Sequence, residues 1–264
     1  MKNTKLNDIR NNWSFNEIES FFKMPFNDLI LRAQIMHKKY FEKKPTDKQL
    51  YEFIAELIIS NKRVYGLKVE QELIDMLNEL KNKGYQPYIV YAKIHRIKLD
   101  LNRSLETSHC EDDTSNELWQ LFHDQIFNYR QEIISKFNRG LLIDFHGHGH
   151  PIQRIELGYL LKSDMLRELS NDESVIPYSE TSISSLIENH PKNKQLGDLL
   201  FGDDALGSLL SKNGFPTVPS STDRAPKSGE PFFSGGTNTR EYGSKYQNGV
   251  DAIQLELNRN GLRQ

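Results

Sequence analysis

Two kinds of apolar spacing divide the chain. From residue 12 to 61 the period is helical throughout. Ser14-Phe15-Asn16-Glu17 is a capping-box pattern, and the helix it opens must stop at Pro25, which has no N–H to give to the ladder. Asn27 caps a second helix with Leu29, Ala33, Met36 and Tyr40 on one face. Thr46-Asp47-Lys48-Gln49 opens a third through Leu50, Phe53, Ile54, Leu57 and Ile58. These helices carry no obvious chemistry, and His37, set between Met36 and two lysines, reads as a surface residue.

Beyond about residue 67 helical stripes alternate with short apolar runs, the pattern of an α/β sheet covered by helices. Leu73, Met76, Leu77 and Leu80 form a stripe that Gly84 stops, and Pro87–Ile94 is strand-like. Thr114 opens a helix with Leu118, Trp119, Phe122, Ile126, Tyr129 and Ile133 towards the core. Leu141-Leu142-Ile143 with Phe145 suits a strand covered on both faces. Short helices are expected near Ser182 to Glu188 and Asp203 to Lys212, followed by a long Pro/Gly/Ser/Thr-rich loop over 215–248 and a last strand from Val250 to Leu257. The division expected is a helical N-terminal appendage over 1–66 and an α/β domain over 67–264.

Composition narrows the function classes. Across 264 residues, 34 Lys+Arg against 36 Asp+Glu leave a net charge of −2, which gives no basic field for nucleic acid. Mean hydropathy is −0.64, and no apolar run approaches the roughly 18 residues of a membrane span, so a cytoplasmic protein without nucleic-acid or membrane partners is expected. The one cysteine, Cys110, makes no intrachain disulfide and holds no thiolate cluster.

The chemistry concentrates in Gly140–Pro151, where His146, His148 and His150 alternate with glycines after a buried-looking run ending in Asp144. Imidazole is the commonest metal ligand and the usual acid-base group near neutral pH. Alternation puts the three rings on one side only if the strand continues that far. Glu256 lies in an otherwise apolar strand, where a carboxylate needs a partner or a task. Asn102 and Arg103 pair an amide with a guanidinium suited to a carboxylate, and Gly235–Gly243 brings Arg240 and Tyr242 onto one glycine-flanked loop.

In order along the chain, His95–Arg103, Gly140–Pro151, Ile155–Leu160, Gly235–Ser244 and Asp251–Leu257 resemble segments of the N-formylglutamate amidohydrolase family, over about residues 88–263. The resemblance implies an α/β fold with a carboxypeptidase-like mixed sheet flanked by helices. It implies a zinc-dependent amidohydrolase cleaving a small N-acylated, N-formyl amino acid, with a small-molecule carboxylate as substrate. His146 would be a zinc ligand and Glu256 the catalytic general base, while Asn102, Arg103, Arg240 and Tyr242 would bind substrate. The family's first metal segment, a Pro-His-Gly-Gly-like turn before the strand at Pro87, is missing here. His148 and His150, or His109, Cys110, Glu111 and Asp112, are the donors available in its place. The alternative expectation is an inactive relative that binds a carboxylate without zinc.

Residues 13–41 look like the N-terminal helices of biotin synthase. The likeness stops where that family's three-cysteine cluster motif would begin, and one cysteine excludes that chemistry.

Overall fold

A computed structural model of the chain describes Asn78, Leu80 and residues 87–90, 94, 96, 98–108 and 113–259. The described residues fall within one compact unit, Asp47–Gln264. The helices expected over 12–61, His37 and the cluster from His109 to Asp112 lie outside the described residues.

The sheet is mixed and four-stranded, in the order β1-β4-β2-β3. Its strands are β1 (Gly140–His148), β2 (Ile155–Gly158), β3 (Thr217–Val218) and β4 (Val250–Asn258). β1 runs parallel to β4 from Gly140 opposite Val250 to His148 opposite Asn258, and β2 runs antiparallel to β4 with Glu156 opposite Glu256. Helix α1 (Asp113–Phe137) precedes β1. Then come α2 (Ser163–Asn171), α3 (Ser184–Glu188), α4 (Leu196–Phe201), α5 (Leu206–Lys212) and α6 (Thr237–Tyr242).

Successive strand residues point to opposite faces and cross-strand partners share one, so the register sorts the side chains. One face carries Ile143, Ile253, Leu255, Leu257, Ile155 and Leu157. It packs against Leu166 and Leu169 of α2, Ile187 of α3, Leu200 of α4 and Leu206 and Leu210 of α5. Burying each such side chain is worth about 1.5–3 kcal/mol, which makes this the stabilising layer. The other face carries Asp144, His146 and His148 from β1, Gln254, Glu256 and Asn258 from β4, and Glu156 from β2. A mainly apolar inner layer, with the buried Asp251 at its edge accepting from the Leu186 N–H and the Ser244 hydroxyl, therefore backs a polar one.

Four expectations are corrected. Residues 87–90 form no strand; the Tyr88 ring meets that of Tyr129 at a tilt of 51°, centroids 4.8 Å apart, and its hydroxyl donates to Glu132 at 2.9 Å, so this segment packs on α1 instead. The stretch 215–248 is not wholly loop, since it contains β3 and α6. β1 is not covered on both faces, and Phe145 is 43% exposed. On α1, Leu118 is exposed, and the buried positions include His123 and Arg130 with Ile126. Arg130 earns its burial by donating to the carbonyls of Tyr242, Gln247 and Asn248, which ties α1 to the connection between α6 and β4.

Candidate metal centre on the polar sheet face

The end of β1 and the start of β2 bring three ligand-bearing side chains together. One ligand atom from each of His148, His150 and Glu156 lies within 4.8 Å of the others, and among the described residues no other group of His, Cys, Asp or Glu does so. Glu156 is fully buried and His148 nearly so.

Hydrogen bonds fix how each is presented. His148 Nε2 lies 2.7 Å from the carbonyl of Arg154, so this nitrogen donates, and Nδ1 keeps its lone pair, towards which the His150 backbone N–H points at 3.2 Å. A ring nitrogen donating to a backbone carbonyl is the usual way a metal-binding histidine is oriented. His150 Nδ1 is 2.9 Å from Glu156 Oε1, while Glu156 Oε2 accepts the Phe233 N–H at 2.8 Å. The Phe233 ring stacks on His150, centroids 4.6 Å apart and planes 17° apart. Two imidazoles and a carboxylate are a donor set that suits zinc and other borderline divalent ions, so the residues present fit a metal. Binding would exchange the proton between His150 and Glu156 for the ion.

The loop over the group is clamped by Arg154, which is 5% exposed. Its Nη1 pairs with Asp223 at 2.9 Å, and its Nη2 lies 3.0 Å from Glu230, a charge contact without hydrogen-bond alignment.

Beside this group His146 and Asn102 come together. Asn102 Nδ2 is 3.2 Å from His146 Nε2, and the same nitrogen is 3.0 Å from Asp144 Oδ1. The Asn102 amide is oriented by Asn238, whose N–H donates to its Oδ1 at 3.1 Å. Burial alone would lower the pKa of His146, but the hydrogen bond and charge of Asp144, with Glu256 behind it, outweigh burial and hold it above the ordinary value. Glu256 sits opposite His146 in the β1–β4 register and accepts from Gln254 Nε2 at 2.7 Å. Burial pushes its carboxyl up, against the charges of His146 and His148.

The other expected site residues are placed apart from this group. Arg103 is 59% exposed and leans on Asp100 at 3.5 Å, and Arg240 is 46% exposed beside Glu241 at 3.0 Å. Tyr242 turns into the protein, its hydroxyl 2.6 Å from His123 Nδ1, with burial raising the phenol's pKa and lowering that of the imidazole. Sequence reasoning named His148 and His150 as reserves and missed Glu156. The signal for it was present: Glu156 alternates with Ile155 and Leu157, so a carboxylate had to share a face with the histidines if the segment were a strand.

Comparison with known proteins changes the family reading. Over 33 residues the chain is 52% identical to biotin synthase of Alteromonas mediterranea, covering 12% of this chain and 9% of that protein. It is 54% identical over 33 residues to biotin synthase of Ehrlichia chaffeensis, covering 12% and 10%. It is 47% identical over 34 residues to biotin synthase of Hahella chejuensis, covering 13% and 10%. The chain thus spans about a tenth of the length of the curated relatives it matches, and so short a share carries no activity across. No family model matches the chain, and no solved structure matches it. The resemblance to the N-formylglutamate amidohydrolase family is therefore withdrawn. It rested on short words of sequence in a shared order, separated by long unmatched stretches.

Proposed function

We propose that the protein is a metal-dependent hydrolase that cleaves the amide of a small N-acylated molecule on the polar face of the sheet. The observation that carries this reading is the convergence of His148, His150 and Glu156 within 4.8 Å, next to a buried carboxyl on the adjoining strand.

His148, held by the Arg154 carbonyl, would present Nδ1 on giving up the His150 N–H that now points at it, while His150 and Glu156 would present the atoms that now face each other across 2.9 Å. Zinc bound there would supply a Lewis acid for the amide carbonyl and for water. Glu256 is the general base in this reading. Its Oε1 is held by Gln254, its Oε2 has no donor among the described residues, and its raised pKa keeps the protonated form accessible for return of the proton to the leaving amine. His146, raised by Asp144, keeps a positive charge available beside Glu256. Phe233 covers one side of His150 and limits water there.

The test is zinc content with turnover. The purified, zinc-replete chain should hold about one zinc and hydrolyse N-acylated amines, and Glu156→Gln and His148→Ala should lose both properties. A folded wild type with no bound zinc and no hydrolysis across a panel of N-formyl and N-acetyl amines would overturn the reading.

A further inference from the structure

A second cluster on the polar face is built from acceptors without donors. Asp144 Oδ2, Gln254 Oε1 and Glu256 Oε2 are buried, and none receives a hydrogen bond among the described residues. Asn238 Oδ1, on the residue whose backbone orients Asn102, is a fourth buried oxygen in the same condition. Gln254 is 3% exposed and Glu256 5%. A buried acceptor left unpaired is costly, and all four lack the same thing, an N–H or O–H.

Gly236 shows how closely the cluster is fitted. A Cβ there would lie 2.8 Å from Gln254 Oε1 and would also meet the Asn102 amide, so both amides pack directly on this backbone. The charges point the same way. Asp144, Glu156 and Glu256 put three carboxyl groups on the face against the imidazole of His146, which pairs with Asp144 Oδ1 and leaves Oδ2 open, while among the described residues Arg96 and Arg103 pair with Asp100, Arg154 with Asp223 and Glu230, and Arg240 with Glu241.

Geometry decides between a metal ion and an organic cation. An ion with bonds of about 2.0–2.6 Å holds its ligand atoms within about 5 Å of one another. Asp144, His146 and Glu256 do not converge that tightly, since the one group that does is His148, His150 and Glu156. Donor N–H groups reach acceptors at about 2.9 Å and spread over a wider span.

We propose that the Asp144–Gln254–Glu256 end of the face is a subsite for an ammonium or guanidinium group of the substrate. This deepens the hydrolase reading and rests on it for calling the ligand a substrate: the amide cleaved would belong to a molecule bearing a second, positively charged nitrogen. The carboxylate expected from Arg103 and Arg240 is set aside, because both arginines are exposed and already face carboxylates.

The test is calorimetric titration of the full, metal-chelated chain with methylguanidinium and methylammonium. At least one should bind saturably at one site, and acetate should not bind there. Tetramethylammonium, which has the charge and no N–H, should bind at least tenfold more weakly, a loss of about 1.4 kcal/mol. Asp144→Asn and Gln254→Met, near-isosteric changes on two different strands, should each weaken binding at least tenfold with the fold checked by circular dichroism. Absence of saturable binding, equal binding of tetramethylammonium, or folded variants that bind like wild type would overturn the subsite. Zinc binding is followed in parallel: zinc retained without cation binding removes the subsite alone, and cation binding retained without zinc removes the hydrolase alone.

Discussion

Glu156 and Glu256 are partners across the antiparallel β2–β4 pair, both buried, and their surroundings separate their roles. Glu156 has both oxygens engaged, by His150 and by the Phe233 N–H. Glu256 has one oxygen engaged and one without a donor among the described residues, and its pKa is raised. Adjacent carboxyls in unlike environments divide ligand and proton-transfer duties. Glu256→Gln should therefore fold with a melting temperature at neutral pH no lower than that of wild type and lose about 10²–10⁴-fold in turnover, as expected when a general base is removed. Unimpaired turnover in this variant would remove Glu256 from the mechanism.

Part of the stability should be lost as pH rises. His146 and Glu256 both have folded-state pKa values above the ordinary ones, so the native state holds extra protons, and that contribution is lost as pH climbs through the folded values. For His146 the decline begins above its ordinary value of 6.5. His123, whose pKa burial lowers, contributes stability that grows over the same window, so the His146 contribution is read as a difference: melting temperatures of the metal-chelated protein from pH 6 upwards should fall more steeply, or rise less, in wild type than in Asp144→Asn. Parallel curves for the two proteins would contradict the assignment.

Zinc should stabilise the fold. At a hundredfold excess over Kd, a ligand confined to the native state adds about 2.7 kcal/mol, or about 5–10 °C in a domain of this size. The shift should disappear with EDTA and in Glu156→Gln, as scanning calorimetry would record.

Arg154→Met should cost about 2 kcal/mol. Removing one partner of a fully buried ion pair costs about 3–5 kcal/mol, but Asp223 is 39% and Glu230 20% exposed, so solvent takes up part of the loss. Because the Arg154 carbonyl also holds His148, zinc affinity should fall with stability. Urea unfolding and zinc competition on one preparation measure both.

Much of the polar face was legible in the sequence, because β1 and β4 carry a pattern of period two. The alternation through Asp144, His146 and His148 put three polar side chains on one face, and Glu256 between Leu255 and Leu257 could only be buried. α1 was visible from its spacing, although Leu118 proved exposed because the buried stripe runs through His123 and Arg130. Tyr88, in an apolar run that looks like a strand, found its partners in Tyr129 and Glu132, and no local pattern encodes that choice. β2 has only four residues, too few for alternation to declare a strand, and with it went the third metal donor. Arg103 and Arg240 suited a carboxylate by residue type, and their neighbours Asp100, at 3.5 Å, and Glu241, at 3.0 Å, could not be assigned to them from residue type alone.

The place of β4 in the sheet sets when the protein can acquire its chemistry. β4 lies between β1 and β2, yet it is the last of the strands to be synthesised, and Gly140 waits for Val250. While a ribosome is still translating the loop that carries Phe233, β1 and β2 have no strand to join them, and Glu156 has no Glu256 opposite. Pairings so distant along the chain form slowly. Assembly of the sheet and creation of the candidate site are thus one late event, completed after Val250–Asn258 has left the exit tunnel.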